Sequence, residues 1–216
     1  MELALLLKVA MVHSGSRSRN ILGAFLLLIW SMASAQQPPP DHSHLVELGQ
    51  VVLDGHSVPY RIRRLPVSSF PDLPARVANT LSDRECLIPQ TFRAHRPENV
   101  VRASLERTGS SDWAVLCSAK GTVSLLVFFA GATGEPTVLA SFAETERLES
   151  YDRTGVLGFN WGIDPASPTS VHEAQTGMEH RPPLLDHDAL ADSLLDRRTI
   201  YHFYSRSKWA LVEMPD

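Results

Sequence analysis

The densest group of side chains that could do chemistry lies near the carboxyl end, where Asp186, His187, Asp188 and Asp192 stand close together. Carboxylates and imidazoles move protons in general acid–base catalysis, and they also bind metals. On a helix Asp188 and Asp192 would share a face, whereas on a strand Asp186 and Asp188 would share one and His187 would point away. We therefore take His187, Asp188 and Asp192 as candidate catalytic residues of a hydrolase-type enzyme. Turn capping and solvation explain their spacing better.

Other catalytic motifs are missing from the sequence. There is no Gly-x-Ser-x-Gly nucleophile turn, no glycine-rich phosphate loop, no His-Glu-x-x-His pair and no Cys-x-x-Cys. His42 and His44 could bind copper or zinc weakly, although a solvated tail explains them better. We expect no metal and no cofactor. The leading hypothesis is a non-catalytic binding or interaction domain, with a protein or a small ligand as its partner.

Aromatic residues form the second set of candidates. Trp113, Trp161, Tyr201, Tyr204 and Trp209 could line a groove for a carbohydrate or peptide, because aromatic rings bury large areas at a small ordering cost. The alternative is that they belong to the core. A third hypothesis, a structural accessory or inhibitor protein, predicts a flat and exposed apolar patch instead.

The N-terminal residues 1–35 have the pattern of a cleavable signal peptide. Arg17 and Arg19 precede an apolar run that ends at Trp30, and small residues follow as far as Ala35. The run is about 15 residues long, and a membrane span needs roughly 20, so an uncleaved anchor is the weaker alternative. Met11 could be the true start. The sequence therefore predicts an exported protein, periplasmic or extracellular.

Signal cleavage changes the charge of the predicted mature chain. The full sequence has a formal net charge of −4, and removal of Glu2, Lys8, Arg17 and Arg19 makes it −6. An acidic chain without a basic stripe is a poor binder of nucleic acid. We expect no nucleic acid partner and no membrane contact after cleavage. The basic cluster at residues 61–64 is interpreted as the exposed face of a strand.

Cys86 and Cys117 are the two cysteines of the chain. An even number of cysteines in an exported protein predicts a disulfide. A pair of buried free thiols is the alternative. A bridge would close a loop of about 30 residues and stabilise the fold by roughly 3–4 kcal/mol.

The remaining pattern predicts an α+β fold. Residues 36–44 are rich in proline and predict a disordered tether, and residues 45–216 predict a single domain. Apolar alternation and turn residues indicate an antiparallel sheet of about six to eight strands, with Asp54-Gly55 at the tip of a hairpin and a last hairpin over 199–213. One main helix is expected near 72–84, capped by Asp72 or a neighbour. Residues 169–185 are expected to form a loop with at most one helical turn.

Three short motifs resemble a group of uncharacterised exported bacterial proteins. They are Cys86-Leu-Ile-Pro-Gln90, Asp112-Trp-Ala-Val-Leu-Cys117 and His187-Asp188-Ala-Leu-Ala-Asp192, in this order. The resemblance covers roughly residues 70–216. It implies export and carries no activity.

Overall fold

The computed structural model describes residues 45–150, 153–178, 181, 184–195 and 197–213. Within these ranges the chain is mostly β, with thirteen strands and two α-helices. Two short 3-10 helices lie at Val67–Ser69 and Glu144–Arg147, and the two α-helices are α1 (Ala75–Asp83) and α2 (Pro168–Ala174). The strands are β1 (Val46–Leu53), β2 (His56–Pro66), β3 (Leu87–Gln90), β4 (Val100–Ala103), β5 (Asp112–Ala119), β6 (Thr122–Phe128), β7 (Thr137–Ala143), β8 (Leu148–Ser150), β9 (Leu157–Phe159), β10 (Trp161–Ala166), β11 (Ala189–Leu194), β12 (Arg198–Ser205) and β13 (Lys208–Glu213).

The strands form one sheet of nine strands and one of four. The order in the larger sheet is β7-β6-β5-β3-β2-β9-β8, with β1 also paired to β2 and β4 to β5, and the smaller sheet runs β10-β11-β12-β13. Pairing is antiparallel except between β2 and β9. The predicted antiparallel character is confirmed. The predicted count of six to eight strands with one main helix is wrong, because strands of three or four residues are too short to show an alternating pattern.

Strand β5 lies between two apolar cores. Its even-numbered residues Ala114 and Leu116 face the smaller sheet and pack with Trp161 and Leu190. Its odd-numbered residues, such as Val115, face α1 on the other side of the larger sheet. A third core packs α2 against the outer face of the smaller sheet. The described residues are therefore layered as helix, sheet, sheet and helix.

Helix α1 covers the outer face of the larger sheet. The predicted helix is confirmed, and the predicted buried face is present, since Leu73, Val77 and Leu81 are at most 8% exposed. The predicted cap is wrong, because Pro74 occupies the N-cap position and no side chain caps the helix. Proline has no N–H to satisfy, and its extended backbone suits the residue that precedes the first turn.

Helix α2 corrects the prediction of a loop with at most one helical turn. Ser167 caps it by accepting a hydrogen bond from the backbone N–H of Ser170 at 3.1 Å, and Pro168 opens the first turn. Val171 and Ala174 bury one face. A serine cap followed by proline is a recognisable start signal. Because most of the other residues in α2 are polar, its two buried positions form no recognisable apolar pattern in the sequence.

The first hairpin has the turn that its sequence predicts. Asp54 and Gly55 both have positive φ, 49° and 80°, which is the conformation of a type I′ turn. Proline is normally confined to edge strands, so Pro59 predicts an edge position for β2. This prediction is wrong, because β2 lies between β1 and β9. The pairing with β9 begins at Tyr60, so the missing N–H of Pro59 leaves both ladders intact.

The N-terminal predictions lie outside the described residues. These include the signal peptide with its start at Met1 or Met11, the tether at residues 36–44 and the histidines His42 and His44. The division of the chain into signal, tether and domain therefore stays a prediction. Within the described part of the chain, no helix is long and apolar enough to cross a membrane.

A disulfide joins Cys86 to Cys117, with their Cα atoms 5.1 Å apart. Cys86 follows α1 and Cys117 lies on the face of β5 that α1 covers. The predicted bridge is present, and it links the end of the helix to the sheet beneath it.

Replacing both cysteines by alanine should lower the free energy of unfolding by about 3–4 kcal/mol, because the bridge restricts the unfolded chain over a separation of 31 residues. Urea unfolding of the oxidised protein and of the variant measures the difference. A loss below about 1 kcal/mol would show that the bridge adds little to the packing of α1.

Candidate functional site

The candidate catalytic residues Asp188 and Asp192 contact different parts of the fold. The backbone N–H of Asp188 donates to the carbonyl of Ser104 at 3.0 Å, and the Asp188 carboxylate accepts from the N–H of Ser104 at 3.0 Å. Asp188 therefore fastens the start of β11 to the end of β4. Asp192 lies four residues further on, in β11, where its side chain is buried between the sheets.

Asp192 is the centre of a buried polar network. It accepts hydrogen bonds from the indole N–H of Trp161 at 2.5 Å and from Nε2 of His202 at 3.0 Å. Asp192 and His202 are 8% and 7% exposed. The pair has the orientation of a catalytic dyad, but a substrate has little access to it. Sequence analysis missed His202, although the alternation of β12 places it on the inner face, opposite Leu190.

Arg147, the last residue of the 3-10 helix after β7, packs against this network. Its guanidinium lies 3.4 Å from the ring centre of Phe142 and 4.8 Å from that of Trp161. Burial lowers the pKa of Arg147, and the nearby carboxylate of Asp192 opposes that shift. A cation held between aromatic faces is stabilised by their negative surfaces. The network stabilises the packing of the two sheets.

His187 is held by acceptors on both sides of its ring. Nδ1 lies 2.6 Å from the carboxylate of Asp186, and Nε2 lies 2.8 Å from the carbonyl oxygen of Tyr204. A carbonyl only accepts, so Nε2 donates, and the bond to a carboxylate makes Nδ1 a donor too. The same bond lowers the pKa of Asp186. His187 thus links Asp186 to the backbone of β12.

A cavity of about 700 Å³ lies beside His187, and Ser205 and Arg206 contribute to its wall. A general base needs a free lone pair, and both nitrogens of His187 are occupied by donated hydrogen bonds. The cavity therefore brings polar groups together without providing an available base. The role of His187, Asp188 and Asp192 in catalysis stays a prediction, with no geometric support from this pairing.

The Asp112-Trp113 motif has a structural role. The Asp112 carboxylate is fully buried and accepts from the backbone N–H groups of Leu105, Glu106 and Ala130, each at 2.8 Å, and from the hydroxyl of Ser110. These donors occupy the carboxylate and fold the loop between β4 and β5 around it. Among the described residues no group of three His, Cys, Asp or Glu side chains could hold a metal ion.

Arg64 corrects the interpretation of residues 61–64 as an exposed basic face. It is 6% exposed and binds the Glu144 carboxylate through Nε at 3.0 Å and Nη2 at 2.5 Å. Ser118 also donates to Glu144, at 2.6 Å. Burial pushes the pKa of Arg64 down, but the hydrogen bonds to Glu144 and Glu47 outweigh it and leave the pKa raised. Only Arg61 of this cluster is fully on the surface.

The predicted aromatic candidates do not form one groove. Trp161 lies in the core between the sheets, and Tyr201 packs in the core beneath α2. Trp209 stacks on Phe129, with ring centres 5.9 Å apart, and Tyr204 packs against the same pair. Trp113 lies on the opposite face of the larger sheet, where it is buried in the core beneath α1 and also lines a cavity.

The Trp113 cavity has a volume of about 520 Å³. Its wall is built by the segment before α1, by Pro97, by β4 and by β5. Six of the lining residues are apolar and three are polar; they are Phe70, Pro71, Leu73, Pro97, Val100 and Trp113, and Ser69, Asp72 and Arg102. Ligand sites commonly have about 300–1,000 Å³ and a mainly apolar wall with few polar groups.

The strands determine which side chains enter this cavity. Arg102 of β4 pairs directly with Trp113 of β5, and Val100 pairs with Val115, so Arg102, Val100 and Trp113 share a face. The disulfide after α1 holds the helix against that face, and the helix positions Asp72 and Leu73 opposite Trp113. The cavity thus depends on helix α1, which the Cys86–Cys117 disulfide holds against the larger sheet.

The charges around the Trp113 cavity are not paired with each other. Nε of Arg102 donates to the hydroxyl of Ser111 at 2.7 Å, and within the described ranges neither Arg102 nor Asp72 takes part in an ion pair. The indole N–H of Trp113 is buried and lacks an acceptor among the described residues. Buried donors without partners are uncommon in folded proteins and call for an explanation.

Comparisons with known proteins give no relative: no family model, no curated protein and no solved structure matches this chain. The resemblance to uncharacterised exported proteins therefore stays a prediction.

The pairing of Asp186 with His187 predicts a measurable titration. The pKa of the Asp186 carboxyl should lie below 3.8, because His187 donates to the carboxylate. A lowered folded-state pKa means that the pair stabilises the protein above the ordinary pKa of aspartate and loses this effect as the pH falls through the lowered value. Carboxyl carbon NMR titration measures it. In His187→Gln the pKa should rise towards its usual value, and an equal pKa in both proteins would contradict the pairing.

Proposed function

We propose that the protein is an exported, non-catalytic binding domain and that its ligand site is the Trp113 cavity. One observation carries the proposal: in a cavity of about 520 Å³, apolar side chains lie beside two opposite charges that have no ion-pair partner in the described chain. In this cavity an aromatic candidate from the sequence, Trp113, lies beside polar groups that could bind a ligand.

The ligand that this chemistry fits is a short peptide with an apolar side chain. The guanidinium of Arg102 complements a terminal carboxylate, and the carboxylate of Asp72 complements a terminal ammonium. Phe70, Leu73 and Trp113 offer apolar surface for the side chain. A peptide of about two residues carries both end charges within the reach of a cavity of this size.

The compartment supports the same proposal. The signal pattern at residues 1–35 predicts export, and the Cys86–Cys117 bridge is typical of oxidising compartments. Periplasm and exterior both contain short peptides. The hydrolase alternative has less support, because His187 has no free lone pair and the pair of Asp192 with His202 is buried.

Calorimetric titration with leucyl-leucine, as the probe, tests the proposal. The native protein should bind it, and Arg102→Gln and Asp72→Asn should each weaken binding by about tenfold or more, because each removes a charge-assisted hydrogen bond. Arg107→Gln and Asp83→Asn serve as matched controls with the same changes at exposed positions outside the cavity.

The end charges of the probe supply a second control. Leucyl-leucine with an acetylated amine and an amidated carboxyl should bind weakly, and free leucine separates recognition of a single residue from recognition of a dipeptide. Equal affinity for the free and the blocked dipeptide, or no heat with either, would contradict the proposal.

A further inference from the structure

Strand β1 is an edge strand that lacks most of the features that normally prevent an edge from pairing with another chain. Among the described residues it pairs only with β2. It carries one charge, Glu47, and no lysine or proline, and its pairing with β2 has no bulge. Leu48 and Val52 are 74% and 70% exposed. Edge strands of soluble proteins are normally blunted by charge, proline or irregularity, because they can otherwise pair with another chain.

Other edges of the fold are better protected. The pairing of β7 has an irregularity between Leu125 and Leu126 of its neighbour β6. Strand β13 begins with Lys208 and ends with Glu213. Strand β1 thus combines a regular ladder with a single charge, whereas β7 has an irregular ladder and β13 carries a charge at each end.

The hairpin turn determines which groups of β1 face outward. In a two-residue hairpin, Leu53 and His56 form a hydrogen-bonded pair, and such pairs then alternate along the ladder. The odd-numbered residues of β1 direct their N–H and C=O groups at β2. The even-numbered residues direct theirs at the open edge, and these are Val46, Leu48, Gln50 and Val52.

We infer that β1 pairs in antiparallel fashion with β1 of a second copy of this chain, on a two-fold axis at Gly49. This register pairs Val46 with Val52 and Leu48 with Gln50 of the other copy, so every outward residue is used and about eight hydrogen bonds form. Glu47 lies opposite Val51, which avoids any contact between like charges. Registers shifted by two residues leave outward groups unpaired.

Packing around Gly49 is compatible with this axis. The ring of Tyr60 covers Gly49, since a Cβ at this position would lie 2.5 Å from the ring, and the hydroxyl of Tyr60 donates to Glu47 at 2.5 Å. These cross-strand contacts link β1 to β2 on one face of the sheet and leave the outward edge of β1 uncovered. On the outer face, Leu48 and Val52 of the two copies would form one continuous apolar surface. Each of these side chains would gain a cross-strand neighbour from the other copy, Gln50 beside Leu48 and Val46 beside Val52.

Sedimentation velocity of the protein, expressed as the whole chain and purified, tests the inference over a range of concentrations. A dimer that dissociates on dilution is expected. Gln50→Pro should convert it to a monomer, because the outward N–H is lost while the ladder with β2 is untouched. Leu211→Pro is the matched control: by the same alternation its N–H points outward from β13, where Leu211 is 62% exposed, and it should leave the dimer intact.

Amide hydrogen exchange of the unmodified protein supplies a measurement that does not depend on variant folding. The N–H groups of Leu48, Gln50 and Val52 should be protected at high concentration and exchange rapidly on dilution. A protein that stays monomeric up to about 1 mM, a dimer that persists in Gln50→Pro, or outward amides that exchange equally fast at all concentrations would overturn the inference.

Discussion

Burial of β5 on both faces is the constraint on which the rest of the structure depends. A strand that is apolar on both sides must be covered twice, and here Leu116 packs against the smaller sheet while Val115 packs against α1. Asp112 anchors the start of this strand by binding four donors, and Cys117 ties its end to the segment after α1. Both covering layers, the inter-sheet network around Asp192 and the cavity at Trp113 follow from this two-sided packing.

Much of the fold was predictable from local patterns, and the rest depended on distant contacts. The Asp54-Gly55 turn, the buried face of α1, the antiparallel pairing of β5, β6 and β7 and the Cys86–Cys117 bridge each have a signal in the sequence that tertiary packing supports. The β2–β9 edge of the larger sheet could not be foreseen, because β9 has three residues and its pairing with β2 joins parts of the chain about a hundred positions apart. Helix α2 had a start signal at Ser167, but its buried face is only two residues wide.

The candidate site was predictable only in part. Trp113 stood among the aromatic candidates, yet nothing in its sequence context distinguished it from Trp161, which is a core residue. The distinction came from the face of β5 on which it lies and from Arg102, its partner in β4. The charged segment ending at Asp192 suggested chemistry because of its composition. In the structure, Asp188 joins β11 to the end of β4, Asp186 pairs with His187, and Asp192 accepts from the indole of Trp161.

The indole ¹H–¹⁵N resonance of Trp113 tests most directly whether this cavity is the ligand site. Its N–H lacks an acceptor in the described chain, whereas that of Trp161 is bound to Asp192 inside the core. On addition of leucyl-leucine, the account predicts a saturable shift of the Trp113 resonance, with the resonances of Trp161 and Trp209 unchanged. A Trp113 resonance that stays fixed at saturating dipeptide, or equal shifts of all three resonances, would contradict the account.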